Sequence, residues 1–381
     1  MAITRIGNIA DTIPNSSVQN IKMSNIVQSK NIIINGDMSI AQRATSVSGL
    51  TGAGYHTVDR FQQYIASAGT WTISQSTEVP TGQGFATSLK WDCTTANSSL
   101  SSSSLLILQQ IFEGQNLQYL KKGTSSAESL TASFWVKSNK TGTYICQFRD
   151  MDNSRSISQS YTISSANTWE KKIITVPGDT TGAFDNDNGD SLRLLFFLGV
   201  GSNYSSGTLQ TTWGAEVTAN RAVGQVNLAD STSNEWYVTG VQLEAGTTAS
   251  EFEFLPFNSN LDKCQRYYYK AGYNPATDSD NTVTAERLLT GMRNHQSGSD
   301  AFFQIQTPSQ MRTAPSVSYN NINIRIELTN YTISSIDGIK QFGPIISFTI
   351  NASSTISEAD ENAIQIRFTG TEGYLAFSAE L

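Results

Sequence analysis

Residues 322 to 328 read INIRIEL, with Ile322, Ile324, Ile326 and Leu328 on one parity and Asn323, Arg325 and Glu327 on the other. Successive side chains of an extended strand point to opposite faces, so a period of two predicts a strand with one face to a core and one to water. The same alternation, or a short apolar run, recurs in LTASFWVKS (130 to 138), SLRLLFFLGV (191 to 200), EWYVTGVQLE (235 to 244) and AIQIRF (363 to 368). Long windows with a 3.6-residue period are scarce. The helix-like patch EGQNLQYLKKG (113 to 123) sets Leu117 and Leu120 three apart ahead of Gly123, which predicts a short connecting turn of helix. Polar turn clusters such as NKTG (139 to 142), FDNDNGD (184 to 190) and VGSNYSSG (200 to 207) punctuate the apolar runs. Many short strands joined by such turns predict an all-β chain built on a sandwich.

At 381 residues the chain has room for two domains. The composition changes across EFEFLPFNSNLDKC (251 to 264), which places a boundary near residue 257 and divides the chain into residues 1–30, 31–256 and 257–381. In the last part, two prolines flank Met311 and Arg312 in QTPSQMRTAPSVSYN (306 to 320), a pattern suited to a sheet edge or a turn. The first part scatters Ile3, Ile6, Ile9, Ile13, Val18, Ile21 and Ile26 among Asn, Ser and Gln. Such a segment buries little against itself, and is expected either to order as an extended anchor on a larger assembly or to fray.

Only 15% of the residues are charged, and the net charge is −7 with no basic run. A partner with a phosphate backbone is therefore not expected. No run of about 18 apolar residues occurs, so membrane insertion is not expected. MAITRIGNIADTIPNSS at the start lacks the continuous apolar stretch of a secretory leader, which points to synthesis in a cytoplasm. Cys93, Cys146 and Cys264 are odd in number and widely spaced, and read as buried, reduced thiols. His56 and His295 are too few for a histidine metal site. Neither a G-x-S-x-G elbow, an H-E-x-x-H pair nor a glycine-rich phosphate loop is present, and carboxylates such as Glu113, Glu216 and Glu244 share no motif, so the chain is not expected to be an enzyme. The acidic loop sets Asp185, Asp187 and Asp190 within six residues. Hard oxygens at alternate positions suit calcium, but Asp190 stands where an EF-hand loop needs glycine, and a solvated turn is the favoured reading.

Six phrases occur in order: NIIINGDMSIAQR (31 to 43), YHTVDRF (55 to 61), SFWVKSNKTGTY (133 to 144), NTWEKKIITVPGD (167 to 179), WYVTGVQLEAG (236 to 246) and CQRYYYK (264 to 270). Together they resemble tail-fibre and related virion appendage proteins of tailed bacteriophages, marine ones in particular, over roughly residues 31 to 320. The first five also resemble carbohydrate-binding modules with the galactose-binding-like jelly roll. The resemblance implies a jelly-roll β-sandwich followed by a smaller C-terminal β-domain, in a homotrimer on the virion surface. Residues 1–30, through Ile3, Ile6, Ile9 and Ile13, would hold it to other virion proteins, and host surface polysaccharide would be its ligand. No cofactor is required; a structural calcium is implied near Asp37 and Glu244. A decoration protein with incidental glycan binding and a polysaccharide depolymerase stay open as alternatives.

Sugar recognition wants exposed aromatic faces beside hydrogen-bonding groups. Trp71, Trp91, Trp135, Trp169 and Trp236 lie in strand-like runs and read as core, whereas Tyr204 and Trp213 lie in turns and are the expected glycan contacts. The triplet in CQRYYYK reads as a strand opening the C-terminal domain. Its alternation would place Cys264, Arg266, Tyr268 and Lys270 on one side and Gln265, Tyr267 and Tyr269 on the other.

Overall fold

The computed structural model describes residues 30–272, 289–293, 300–326, 329–355, 364–368 and 373–381. The proposed anchor residues Ile3, Ile6, Ile9 and Ile13 lie outside this set. In chain order the first strands are β1 (Ser46–Leu50), β2 (Gln62–Ala66), β3 (Thr70–Ser76), β4 (Ser88–Thr95), β5 (Leu105–Glu113) and β6 (Leu130–Ser138). They are followed by β7 (Gly142–Asp150), β8 (Arg155–Ile163), β9 (Glu170–Val176), β10 (Asp190–Val200), β11 (Gly214–Ala215) and β12 (Glu235–Ala245). Two six-stranded sheets result, ordered β1-β3-β4-β12-β6-β9 and β11-β8-β7-β10-β5-β2, and every pairing is antiparallel. The chain crosses repeatedly from one sheet to the other. That makes the unit a jelly-roll sandwich.

Between the sheets pack Trp71, Trp91 and Trp236, all 0% exposed, with Phe134, Phe148, Phe196 and the leucines of β10. Full burial of one such side chain stabilises by roughly 1.5–3 kcal/mol, so this layer dominates the energetics. The run of β10 splits as alternation requires: Leu192, Leu194, Phe196 and Leu198 enter the core. Leu195 and Phe197 face the other way, and form a small second cluster with Ile107, Ile145 and Ala222. A bulge separates Thr239 from Gln242 on β12. Inside it Gly240 adopts φ 61°, and a Cβ there would stand 2.5 Å from the Phe85 ring, so only glycine fits. The 113–123 patch forms two 3₁₀ turns, Gly114–Asn116 and Gln118–Leu120, burying Leu117 and Leu120. Cys93, Cys146 and Cys264 are buried and unbridged. Among the described residues no helix is long and apolar enough to cross a membrane.

After β12 the chain forms a helix, α1 (Phe257–Gln265), and then β13 (Tyr268–Gly272). This corrects the expected strand alternation through Cys264: alternation begins only at Tyr268, and Cys264 belongs to the buried side of the helix with Asn260 and Gln265. The remaining strands are β14 (Leu289–Arg293), β15 (Asp300–Gln306), β16 (Ser316–Asn320), β17 (Ile322–Ile326), β18 (Thr329–Phe342), β19 (Ile345–Ala352), β20 (Ile364–Phe368) and β21 (Tyr374–Ser378). Strands β13, β21 and β16 make a small sheet, while β14-β15-β19-β18-β17-β20 close a barrel. Both contribute to one core, which includes Phe303, Phe348, Ile350, Leu375 and Phe377.

The tyrosine triplet joins this part to the sandwich. The Arg60 guanidinium lies 3.4 Å from the Tyr267 ring centre, and Arg43 lies 3.6 Å from that of Tyr268. Tyr269 stacks on Phe377 at 6.4 Å, inside the C-terminal part. Glu113, fully buried, accepts from the Tyr267 hydroxyl and from Arg266 Nε (2.8 Å) and Nη2 (2.6 Å). Arg60, 1% exposed, ion-pairs with Glu380 and donates to the Ile111 carbonyl at 2.7 Å. Burial works against the charge of Arg60, but Glu380 beside it holds its pKa above the ordinary value.

Candidate functional site

On β6, Phe134 and Val136 enter the core, so Trp135 and Lys137, on the other parity, face outward. The same parity turns Tyr237 and Glu235 outward on β12, and Lys90 and Asp92 on β4. Register aligns these side chains into rows. Lys90 stands opposite Tyr237 and Tyr237 opposite Lys137, while Asp92 faces Glu235 and Trp135 faces Lys171 of the edge strand β9. Trp169, just before β9, completes the group: its ring centre lies 6.1 Å from that of Tyr237, with the rings inclined at 66°. Trp135 and Trp169 are half-buried, and Ile173 on the same side of β9 is 57% exposed. This corrects the reading of five core tryptophans. Trp71, Trp91 and Trp236 are core, whereas Trp135 and Trp169 lie on the outer face of the first sheet.

Ion pairs fix the polar groups among these rings. Lys137 Nζ lies 2.9 Å from Glu78 Oε1 and sits over Tyr237 at 4.4 Å and Trp169 at 5.9 Å. Lys90 Nζ lies 2.6 Å from Glu235 Oε1 and 3.8 Å from Asp92 Oδ1, and the Tyr237 hydroxyl donates to Glu235 Oε2 at 2.8 Å. Burial alone would raise the Glu235 pKa, but the bonds from Lys90 and Tyr237 bring it below the ordinary value. Burial and that bond to Glu235 push the Tyr237 hydroxyl up to about 12. Asp92 moves the other way, raised by burial despite Lys90. The arrangement offers ring faces for C–H stacking beside carboxylate acceptors and ammonium donors of fixed position.

The two expected contacts lie elsewhere. Tyr204 ends the 3₁₀ turn Ser202–Tyr204, packs on the outward cluster of the second sheet, and has the Arg221 guanidinium 5.8 Å from its ring centre. Trp213 donates its indole N–H to the Pro177 carbonyl at 2.8 Å and lines a shallow cleft with Leu120, Lys122, Asp179 and Phe184. That cleft is anchored by the buried Lys122 ammonium, which meets Asp150 Oδ2 (2.6 Å), Asp179 Oδ2 (3.2 Å) and the carbonyls of Thr181 (2.9 Å) and Gly182 (2.7 Å).

Of the acidic residues considered for calcium, Asp37, Glu244, Asp187 and Asp190 are engaged by protein donors. Asp37 Oδ1 accepts from Ser39 and from Asn260 Nδ2 at 3.1 Å, while Glu244 accepts from Ser250 N at 2.8 Å and Gln242 Nε2 at 3.0 Å. Asp190 pairs with Arg193, Asp187 accepts from Gly189 N, and the backbone N–H of Asp185 donates to Asp152. Among the described residues no three His, Cys, Asp or Glu side chains converge as a metal site would require.

No family model matches the chain, and no curated protein matches it. Among solved structures, a similar one is the enzymatically active domain of bacteriophage CBA120 tailspike protein 4, at 12% identity and TM-score 0.30 over 57% of this chain. The match spans only 21% of that tailspike chain. The module TmCBM61 in complex with β-1,4-galactotriose is similar at 10% identity and TM-score 0.28, over 57% of this chain and 99% of that one. The family 11 carbohydrate-binding module from Clostridium thermocellum, in complex with a mixed-linked tetrasaccharide, is similar at 12% identity and TM-score 0.24, over 58% and 100%. With scores this low, the sandwich is read from its own strand order and core.

Proposed function

We propose that this chain binds glycans through the outer face of its first sheet, as the adhesive part of a phage virion surface appendage. One observation carries the binding role: Trp135 and Trp169 keep partly open rings on a rigid sheet, beside Lys137, Glu78, Lys90 and Glu235 in fixed pairs. Aromatic side chains left half-open on a sheet face give up burial that a core position would have gained, a cost that a ligand covering them offsets. The virion setting rests on the six ordered phrases of the sequence, and residues 1–30 are its proposed attachment.

The test is retention in affinity electrophoresis through gels containing host surface polysaccharide. Wild type should be retarded, and the double variant Trp135→Ala, Trp169→Ala should lose most of that retardation while melting as wild type does. Equal retardation of both proteins would remove this face from the reading.

Hydrolysis is a second reading, favoured by one observation. Asp92 and Glu235 stand directly opposite each other with their pKa values moved apart, as the acid and the ionised partner of a carboxyl pair are. Against it, Glu235 already engages both Lys90 and Tyr237, and the face is an open sheet rather than a cleft that excludes water. Reducing-sugar release that disappears in Asp92→Asn would establish the enzyme; no release is the expected result.

A further inference from the structure

We propose that the glycan taken by this face is uncharged, an inference that rests on the binding role proposed above. Three ammonium groups, Lys90, Lys137 and Lys171, face the aromatic rings, and so do three carboxylates, Glu78, Asp92 and Glu235. Their formal charges cancel. A sulfated or uronate-rich chain needs unpaired cations in its path, and two of these three are already taken.

Lys137 holds Glu78 at 2.9 Å while the Tyr237 and Trp169 rings flank its ammonium, and its side chain is only 13% exposed. Lys90 is shared between Glu235 and Asp92. Among the described residues only Lys171, exposed on the edge strand, faces the rings without an ion pair. An arriving sulfate would have to displace a carboxylate from its lysine, or settle beside Glu78, Asp92 and Glu235, which already occupy Lys90 and Lys137, with Lys171 as the one unpaired cation to meet it. Like charges a few ångströms apart near a surface repel strongly, and the net charge of −7 adds a weaker, long-range opposition.

A neutral polyol meets no such conflict. Its hydroxyls can donate to carboxylate lone pairs left free by the lysines, its ring oxygens can accept from the ammonium groups, and its C–H faces can cover Trp135 and Trp169. The ion pairs then act as a preset hydrogen-bonding grid that needs no counterion exchange, so binding should depend little on salt.

The experiment compares matched pairs on the full chain: a β-glucan, a galactan and a mannan, each beside a sulfated derivative of the same backbone. Affinity electrophoresis is run from about 50 to about 500 mM salt. At least one neutral polymer should bind, its sulfated partner should bind about ten-fold more weakly or not at all, and the neutral affinity should change by less than about two-fold over the salt range. Glu78→Gln, which releases Lys137 from its counterion, should narrow the preference for the neutral member. Tighter, steeply salt-dependent binding of the sulfated partner would overturn the inference while leaving glycan binding intact. If none of the six polymers binds, or if Trp135→Ala, Trp169→Ala binds as wild type does, the underlying reading fails and takes this inference with it.

Discussion

At the junction with the C-terminal part, Arg60 lies 3.4 Å from the Tyr267 ring centre, is 1% exposed and pairs with Glu380; on the outer face, Lys137 lies 4.4 Å from the Tyr237 ring centre and pairs with Glu78, which is 51% exposed. Both places combine a cation, an aromatic face and a carboxylate. The difference is what covers them. At the junction the partners come from distant parts of the same chain, so the cluster is closed and its charges depend on each other. On the outer face Tyr237 is covered by its neighbours, but the Trp135 and Trp169 rings are only half-buried, so the same chemistry is left partly open to meet something else. The tyrosine triplet joins two parts of the protein, and the outward tryptophans are available to a ligand.

Removing one charge from each cluster should give the largest contrast. Glu380→Ala leaves the Arg60 guanidinium buried with, among the described residues, the Ile111 carbonyl and the Tyr267 ring as its close contacts, a loss of about 3–5 kcal/mol in denaturant unfolding. Glu78→Ala removes an exposed partner and should cost no more than about 1 kcal/mol. Similar losses from the two variants would mean that the junction is wetter, or the face more closed, than the contacts describe. The binding experiments reverse the order: the tryptophan pair should matter most to adhesion, and Glu380 hardly at all.

Much of this architecture is legible in the sequence because a period of two needs only neighbours. Alternation in SLRLLFFLGV and LTASFWVKS separates inward from outward residues along each strand. It also contained the outward tryptophan: Trp135 shares parity with Lys137 rather than with Phe134 and Val136, a signal overridden when tryptophan in a strand is equated with core. Helix α1 stays hidden for the opposite reason, since its buried side is formed by Asn260, Cys264 and Gln265 and shows no apolar stripe. Asn260 is buried because its amide bonds Asp37, Ser39 and the Asn35 region, more than 200 positions earlier. The junction is equally illegible, because Arg60 and Glu380 are 320 positions apart and neither carries a local mark of burial.

The smallest expected effect separates the two clusters by pH. Asp59, fully buried behind Arg43, is pushed by burial up to about 6, against an ordinary value of 3.8. Its folded form therefore holds a proton that the unfolded chain releases, and this contribution to stability declines as pH rises from about 4 to about 6. Glu113 at the junction and Glu235 on the outer face are lowered, by hydrogen bonds from Arg266 and Tyr267 and from Lys90 and Tyr237 that outweigh burial. Their contributions are fully present above the ordinary glutamate value and fade only as pH falls through the folded ones. Between about pH 5 and 6 the declining slope thus comes from acids raised by burial, Asp59 foremost, with Asp92 on the open face shifted in the same direction. Denaturation midpoints measured across that range in wild type, Asp59→Asn and Asp92→Asn assign it. Asp59→Asn should flatten most of the slope, because Asp59 is sealed inside the protein while Asp92 is 35% exposed and screened by water. A slope that survives Asp59→Asn and vanishes in Asp92→Asn would place the stronger desolvation on the outer face, and the distinction between a closed junction and an open face would have to be reversed.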